Sequence, residues 1–216
     1  IFLVEFLLPY IVELLSYCPE LYSVKTDFPL NRIPKFDKHC QKVTLKLYKA
    51  EEIPQEKYIF FEEAMIAEQY PTNDIELIEI ISGIVGKENI IVKRHPRSIE
   101  DRFACLGYKV MNVSNIPWEI NIINNLDTDV LSDKVSISVF STASYTGCHM
   151  FGIPQQSIHL CNMMLGKYPL LEHIAFKDFK DKFYDIYNNE SNAFFCPSTL
   201  DELKETFNYL KGREYV

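Results

Sequence analysis

From Lys57 onwards, short apolar segments alternate with amphipathic segments of helical period. The apolar segments predict strands, and the periodic ones predict helices, several with Gly86 or Gly152 at their ends. Strands are predicted over residues 58–61, 89–93, 108–112, 135–140, 157–161 and 193–195. Helices are predicted over residues 75–85, 101–106, 118–124, 146–151, 179–187 and 200–210. This alternation over short loops predicts an α/β fold with a doubly wound, mainly parallel sheet of the Rossmann-like type.

The first 56 residues are less regular and are interrupted by prolines. We expect a strand over residues 1–6, a helix over residues 9–15 and a strand over residues 42–48. A strand at the first residue suggests a chain whose preceding part is missing. We therefore interpret residues 1–56 as a remnant of, or a connection from, a truncated N-terminal domain, and residues 57–216 as the Rossmann-like domain.

Composition narrows the functional classes. The net charge of −8 argues against a nucleic-acid partner, because binding to a phosphate backbone needs a basic surface. Six cysteines without C-x-x-C spacing indicate free, buried thiols in a reducing compartment. The apolar start carries Glu5 and Pro9 and has neither a signal-peptide pattern nor the length to span a bilayer, so a cytoplasmic location is expected. No motif predicts a required metal.

His95, Pro96 and Arg97 follow the predicted strand at residues 89–93. Proline holds the preceding residue extended, so the imidazole of His95 should project from the carboxyl end of that strand, where open α/β sheets bind ligands. The basic cluster of Lys93, Arg94, Arg97 and Arg102 could hold an anion. The alternatives are a loop histidine with a structural hydrogen bond and a solvated strand end.

A run of small and hydroxyl residues, Ser141, Thr142, Ala143 and Ser144, joins the predicted strand at residues 135–140 to a helix. Small residues let a phosphate approach closely, and a helix start offers unpaired N–H groups. We expect Ser141 and Thr142 to meet the same anion as His95. Plain N-capping by Thr142 or Ser144 is the alternative.

Several acidic residues are candidates for proton transfer or for sugar recognition. Glu62, Glu63, Glu68 and Asp74 follow the first strand of the domain, at the same predicted edge as His95, so one of them could accept a proton. Glu119 lies in the first turn of a predicted helix, where the helix dipole favours a carboxylate. Trp118, His149 and His159 are interpreted as core residues.

The order of His95-Pro96, Pro117-x-Glu119 and Ser141-Thr142 resembles the bacterial sialyltransferases of glycosyltransferase family 52. The resemblance covers roughly residues 57–212. It implies a GT-B architecture in which the C-terminal Rossmann-like domain holds the donor, CMP-sialic acid. The implied activity is inverting, metal-independent transfer of sialic acid to a bacterial surface glycan such as lipooligosaccharide or capsule, without a cofactor.

The resemblance also implies roles for individual residues. His95 would be the general acid on the CMP phosphate, and Glu68 would be the base, with Glu63, Asp74 and Glu5 as alternatives. The implied donor-binding residues are Pro96, Arg97, Asn112, Val113, Ser114, Glu119, Ser141 and Thr142: Ser141 and Thr142 at the phosphate, the backbone of residues 112–114 at cytosine, and Glu119 at the ribose. The segment around Glu5 departs from related families, which carry two acidic residues and a glycine there.

Three functional interpretations stay open at this stage. The first is the sialyltransferase, with a nucleotide-sugar donor and a glycan acceptor as partners. The second is a GT-B transferase with another nucleotide-activated donor, and the third is a non-catalytic nucleotide-binding subunit. Peripheral association with the inner face of the cytoplasmic membrane and a homodimer are also left open.

Overall fold

The structure is a computed structural model that describes residues 14–16, 30–32, 38–50, 52–111, 116–165, 169–191 and 193–212. Its strands are β1 (Leu14–Ser16), β2 (Leu30–Arg32), β3 (Tyr58–Phe61), β4 (Ile90–Lys93), β5 (Lys109–Val110), β6 (Val135–Ser138), β7 (Gln156–His159) and β8 (Phe194–Phe195). Its α-helices are α1 (Lys38–Leu47), α2 (Asp74–Val85), α3 (Arg102–Cys105), α4 (Trp118–Asn124), α5 (Thr146–Phe151), α6 (Pro169–Glu172), α7 (Ile174–Ser191) and α8 (Leu200–Gly212).

Six strands form one parallel sheet in the order β5-β4-β3-β6-β7-β8, while β1 and β2 pair separately. The predicted α/β fold with a parallel sheet is thus confirmed. The order runs outward from β3 in one direction and from β6 in the other, as in Rossmann-like folds. The reversal creates a crevice beyond the carboxyl ends of β3 and β6, the usual ligand position in such sheets.

Helices cover both faces of the sheet, because alternate strand residues point to opposite sides. On one face Tyr58 and Phe60 pack among residues of α2 and α8. On the other face Ile59 and Phe61 pack with Trp118 of α4. A further cluster joins aromatic residues of α7 and β8. The interior is therefore apolar on both sides of β3, whereas β6 and β7 also bury the polar residues Ser136 and Ser157.

Most predicted elements match the structure within a few residues, and two predictions are wrong. Residues 42–48 were expected to form a strand, but Lys38–Leu47 is the helix α1. The alternation of Val43, Leu45 and Leu47 imitates a strand, although Val43 and Leu47 also have the i, i+4 spacing of a helix face. The prediction of a helix over residues 9–15 is wrong at residues 14 and 15, because Leu14 and Leu15 form a strand that pairs with β2. The strand predicted over residues 1–6 lies outside the described residues.

Helix α1 contacts the Rossmann-like part of the chain. The side chain of Gln41 donates to the carbonyl of Ile123 at 2.8 Å, and Lys38 lies 3.7 Å from a carboxylate oxygen of Asp127. All six strands of the main sheet fall after residue 57. Among the described residues, no helix combines the length and apolarity that a membrane crossing would need.

Candidate functional site

A cavity of about 180 Å³ opens at the crevice between the carboxyl ends of β3, β4 and β6. Its wall includes Arg94, His95, Trp118, Glu119, Ser141 and Thr142. The residues predicted to meet one anion therefore do line one cavity. Small-molecule sites usually measure roughly 300–1,000 Å³, so this volume suits one part of a ligand, such as its phosphate group.

The backbone of His95 is held by the strand that precedes it and by a carboxylate from β3. Glu62 is buried at the end of β3, and its Oε2 accepts the backbone N–H of His95 at 3.1 Å. The register of β3 with β4 places Phe61 beside Lys93, which brings the two strand ends to the same level. The position of His95 is thus fixed by the sheet, while Pro96 beside it is exposed and also lines the cavity.

The imidazole of His95 presents a hydrogen-bond donor. Its Nδ1 accepts the backbone N–H of Arg97 at 3.1 Å, so in the neutral ring the proton lies on Nε2. No described residue bonds Nε2. Burial lowers the pKa of His95, and the positive charge of Arg97 lowers it further. The ring is therefore neutral near pH 7 without a ligand, and an anion beside Nε2 would favour its protonation.

The turn after β6 is shaped by bonds that leave two hydroxyls free. Ser144 donates through its N–H and its hydroxyl to the carbonyl of Ser141, at 3.0 and 2.6 Å. Thr146 bonds the carbonyl of Thr142 at 2.7 Å. The hydroxyls of Ser141 and Thr142 have no partner among the described residues. The alternative of N-capping is wrong, because helix α5 begins after Tyr145 without a side-chain cap.

Two buried donors without partners belong to the cavity wall. Among the described residues, neither Arg94 Nε nor Trp118 Nε1 has a hydrogen-bond partner. Leaving a buried donor unpaired is unfavourable by about 1–3 kcal/mol, and such groups are rare outside functional sites. Glu119 also faces the cavity and accepts the hydroxyl of Thr146 at 3.2 Å. The wall therefore combines donor groups with the carboxylates of Glu62 and Glu119, a combination suited to a phosphate and a sugar hydroxyl.

Arg102 lies beneath the cavity in a buried ionic network. Its guanidinium bonds both carboxylate oxygens of Asp74, at 3.0 and 2.7 Å, and Oε1 of Glu62 at 3.0 Å. The hydrogen bonds to Asp74 are the main reason that the pKa of Arg102 is raised. The network holds Glu62 against His95. Asp74, an alternative base, is thus committed to a structural ion pair.

The predicted basic cluster is largely neutralised within the protein. Arg97 pairs with Glu68 at 2.7 Å, and Arg94 lies 3.5 Å from Asp101 while donating to the carbonyl of Ser98. The Arg97–Glu68 pair does not line the cavity with His95. The roles predicted for Arg97 at the donor and Glu68 as the base stay predictions. Of the cluster, Lys93 and Arg94 line the cavity, together with the imidazole of His95 and the residues Ser141 and Thr142.

Glu63 bridges the ends of β3 and β6. Its Oε1 accepts the backbone N–H of Phe140 at 3.2 Å. Burial raises the pKa of Glu63 to about 7, although the hydrogen bond from Phe140 opposes the shift. A carboxyl group with this pKa at the crevice could act as acid or base near neutrality. The sequence singled out Glu63 as an alternative base, but its burial could not be read from the sequence.

A second histidine lies in the aromatic part of the same edge. His159 is fully buried, with Nε2 3.1 Å from the hydroxyl of Ser144 and Nδ1 2.7 Å from the hydroxyl of Tyr184. Burial lowers the pKa of His159 to about 3, so the ring stays neutral. The prediction that His159 is a satisfied core group is confirmed. Through Ser144 it braces the turn that carries Ser141.

Other predicted positions lie beyond what the structure describes. These are Asn112, Val113 and Ser114, implied to meet the base, and Glu5, the alternative acidic residue of the N-terminal segment. Within the described part of the chain, no group of three or more metal-ligating side chains comes together.

Comparison with known proteins adds no assignment. No protein-family model matches the chain, and no curated protein is significantly similar to it.

Proposed function

We propose that residues 57–212 form the donor-binding domain of an inverting glycosyltransferase that transfers sialic acid from CMP-sialic acid to a bacterial surface glycan. The main observation that supports this proposal is that His95, Ser141 and Thr142 line one cavity at the point where the strand order reverses. The choice of donor and acceptor comes from the family resemblance. The proposal places the protein in the cytoplasm, at the inner face of the membrane, where such donors would be used.

The donor phosphate would occupy the cavity. The Nε2–H of His95 and the hydroxyls of Ser141 and Thr142 are its free donors, and Glu119 would accept hydrogen bonds from the ribose. As the glycosidic bond to CMP breaks, negative charge grows on the phosphate and raises its attraction for these donors. A donor preorganised in this way can stabilise a transition state by roughly 3 kcal/mol. These groups suffice for the transfer, so we expect it to be insensitive to chelators.

The acceptor hydroxyl must lose a proton as it attacks the anomeric carbon. Glu68 is the predicted base, and its carboxylate forms an ion pair with Arg97 at 2.7 Å. Glu63 is the alternative, because burial raises its pKa to about 7. Replacing each residue by glutamine distinguishes the two. Turnover should fall by about a hundredfold or more in the variant that lacks the base, and little in the other variant.

The direct test is calorimetric titration of CMP, UMP and CDP into the protein. We expect CMP to bind, and His95→Ala and Thr142→Val each to weaken it at least tenfold through the loss of a donor to the phosphate. His39→Ala is the matched control, because His39 is exposed on α1 and does not line the cavity. Tighter binding of UMP or CDP than of CMP would indicate a donor other than CMP-sialic acid. CMP binding that none of the site variants weakens would contradict the site.

Binding without transfer would identify a non-catalytic subunit. Purified protein is supplied with CMP-sialic acid and bacterial glycan acceptors, and release of CMP is measured. We expect His95→Ala to lower turnover by about a hundredfold. An unchanged rate in this variant would remove the proposed mechanism.

A further inference from the structure

Two cysteine thiols lie side by side at the carboxyl edge of the sheet. Cys161 follows β7 and Cys196 follows β8, and these strands are neighbours in the sheet. Their Sγ atoms are 3.4 Å apart, and both cysteines are free. The two cysteines are 35 positions apart and form no C-x-x-C pattern, so the pairing arises from the sheet.

The pair is within reach of small molecules. Both cysteines are partly exposed, and Cys161 lines a cavity of about 230 Å³ that also includes Lys177 and Lys180. Lys180 donates to Asn162 at 2.9 Å, which holds its ammonium group near the thiols. A positive charge beside a thiol favours the reactive thiolate.

The surroundings give the two sulfurs different roles. The hydrogen bond that the two Sγ atoms share is the main reason that the pKa of Cys196 is lowered. The same bond raises the pKa of Cys161. These shifts favour the thiolate form on Cys196 and the thiol form on Cys161.

We propose that Cys161 and Cys196 form a reversible regulatory disulfide by exchange with a small-molecule disulfide of the glutathione class. The Cys196 thiolate attacks one sulfur of the reagent and releases its other half as a thiolate, which leaves a mixed disulfide on Cys196. The released thiolate takes the proton of Cys161. The Cys161 sulfur then attacks Cys196, closes the protein disulfide and expels the second half of the reagent as a thiolate. Two protein sulfurs are oxidised, and the reagent is reduced to one thiol and one thiolate, which takes a proton from water.

Closure needs little movement. A disulfide requires about 2.05 Å between its sulfurs, so the two Sγ atoms must approach by roughly 1.4 Å. Both residues follow the ends of their strands, where side-chain rotation does not disturb the ladder between β7 and β8. The change also reaches the turn after β6, because Tyr184 connects Cys196 to His159, and His159 connects to Ser144.

The test treats the reduced full chain with oxidised glutathione and follows it by intact mass, free-thiol titration and peptide mapping. We expect the loss of two thiols without a retained adduct, a peptide linking Cys161 to Cys196, and reversal by excess reduced glutathione. Mapping on the unmodified chain makes this result independent of how any variant folds. Cys161 and Cys196 left unlinked after the exposed Cys105 is fully modified would overturn the proposal.

Two variants test the order of attack. Cys161→Ser removes the second sulfur, so the glutathione adduct should persist on Cys196 and form at least tenfold faster than the adduct on Cys105. Cys105→Ser is the matched control and should leave the internal disulfide unchanged. Adducts that persist on both Cys161 and Cys196 of the unmodified chain would contradict closure.

Discussion

The carboxyl edge of the sheet has two parts, and each places a histidine in a different environment. Beside β3, β4 and β6, His95 is half-buried, held by a carboxylate on its backbone, and presents a free Nε2–H to a cavity. Beside β7 and β8, His159 is fully buried among aromatic rings, and both its nitrogens are bonded. One edge of the sheet thus provides both a histidine with an open hydrogen-bond donor and a histidine that braces the neighbouring turn.

The largest expected effect concerns the ionic network under the site. Arg102→Met leaves the carboxylates of Glu62 and Asp74 buried without their cation and should lower the free energy of unfolding by about 3–5 kcal/mol. Arg97→Met is the control and should lower it by less than about 1 kcal/mol, since the Arg97–Glu68 pair is partly exposed. Urea unfolding at pH 7 measures both. Equal losses would show that the buried network stabilises the fold no more than a partly exposed ion pair does.

A second prediction concerns two groups with opposite dependence on pH. The pKa of Glu63 is about 7 in the folded protein and 4.5 in the unfolded chain. Its contribution to the free energy of unfolding therefore falls as pH rises from 4.5 to 7. The pKa of His159 is about 3 in the folded protein and 6.5 in the unfolded chain. Its contribution to the free energy of unfolding therefore rises as pH rises from 3 to 6.5. The full change is worth about 3 kcal/mol for Glu63 and about 5 kcal/mol for His159, and their opposite slopes cancel between pH 4.5 and 6.5.

Single substitutions should separate these opposed contributions. Relative to the unmodified protein, Glu63→Gln should gain stability as pH rises towards 7, and His159→Gln should gain it as pH falls below 6.5. Urea unfolding at several pH values measures the differences, and His39→Gln on the exposed face of α1 is the control. A flat difference for either site variant would show that its side chain is not buried as described.

The strands and their common edge could be predicted from the sequence, whereas the contacts between distant segments could not. Apolar runs identified the six strands of the sheet, and His95, Ser141 and Thr142 were expected at one edge because parallel strands share that edge. The bonds of Arg102 to Glu62 span 40 positions and could not be read from the sequence, because they depend on how β3 and α3 pack. The predicted anion-binding role of the basic cluster overlooked these internal carboxylate partners.

The cysteines show the same limit. Apolar neighbours predicted buried thiols, yet Cys105 is exposed, and Cys148, Cys161 and Cys196 are each partly exposed. Cys161 and Cys196 follow strand ends, where apolar sequence context does not guarantee burial. Their proximity follows from β7 and β8 being adjacent, which neither segment encodes alone.

The smallest expected effect on stability lies in the aromatic part of the edge. Tyr184→Phe removes the hydroxyl that bonds Nδ1 of the buried His159 and should lower the free energy of unfolding by about 1–2 kcal/mol. Tyr209→Phe, on the exposed side of α8, should change it by less than about 0.5 kcal/mol. Chemical denaturation compares the two variants. No loss from Tyr184→Phe would mean that the hydroxyl does not brace His159.

The most direct test of the site is an NMR titration of the histidine rings with and without CMP. Five histidines give separable signals, assigned by single substitutions. We expect the pKa of His95, which lies below its usual value in the free protein, to rise when CMP binds, while His159 stays neutral and unchanged. CMP that binds without moving His95, or that moves His159 instead, would contradict a phosphate site at the crevice between β3 and β6.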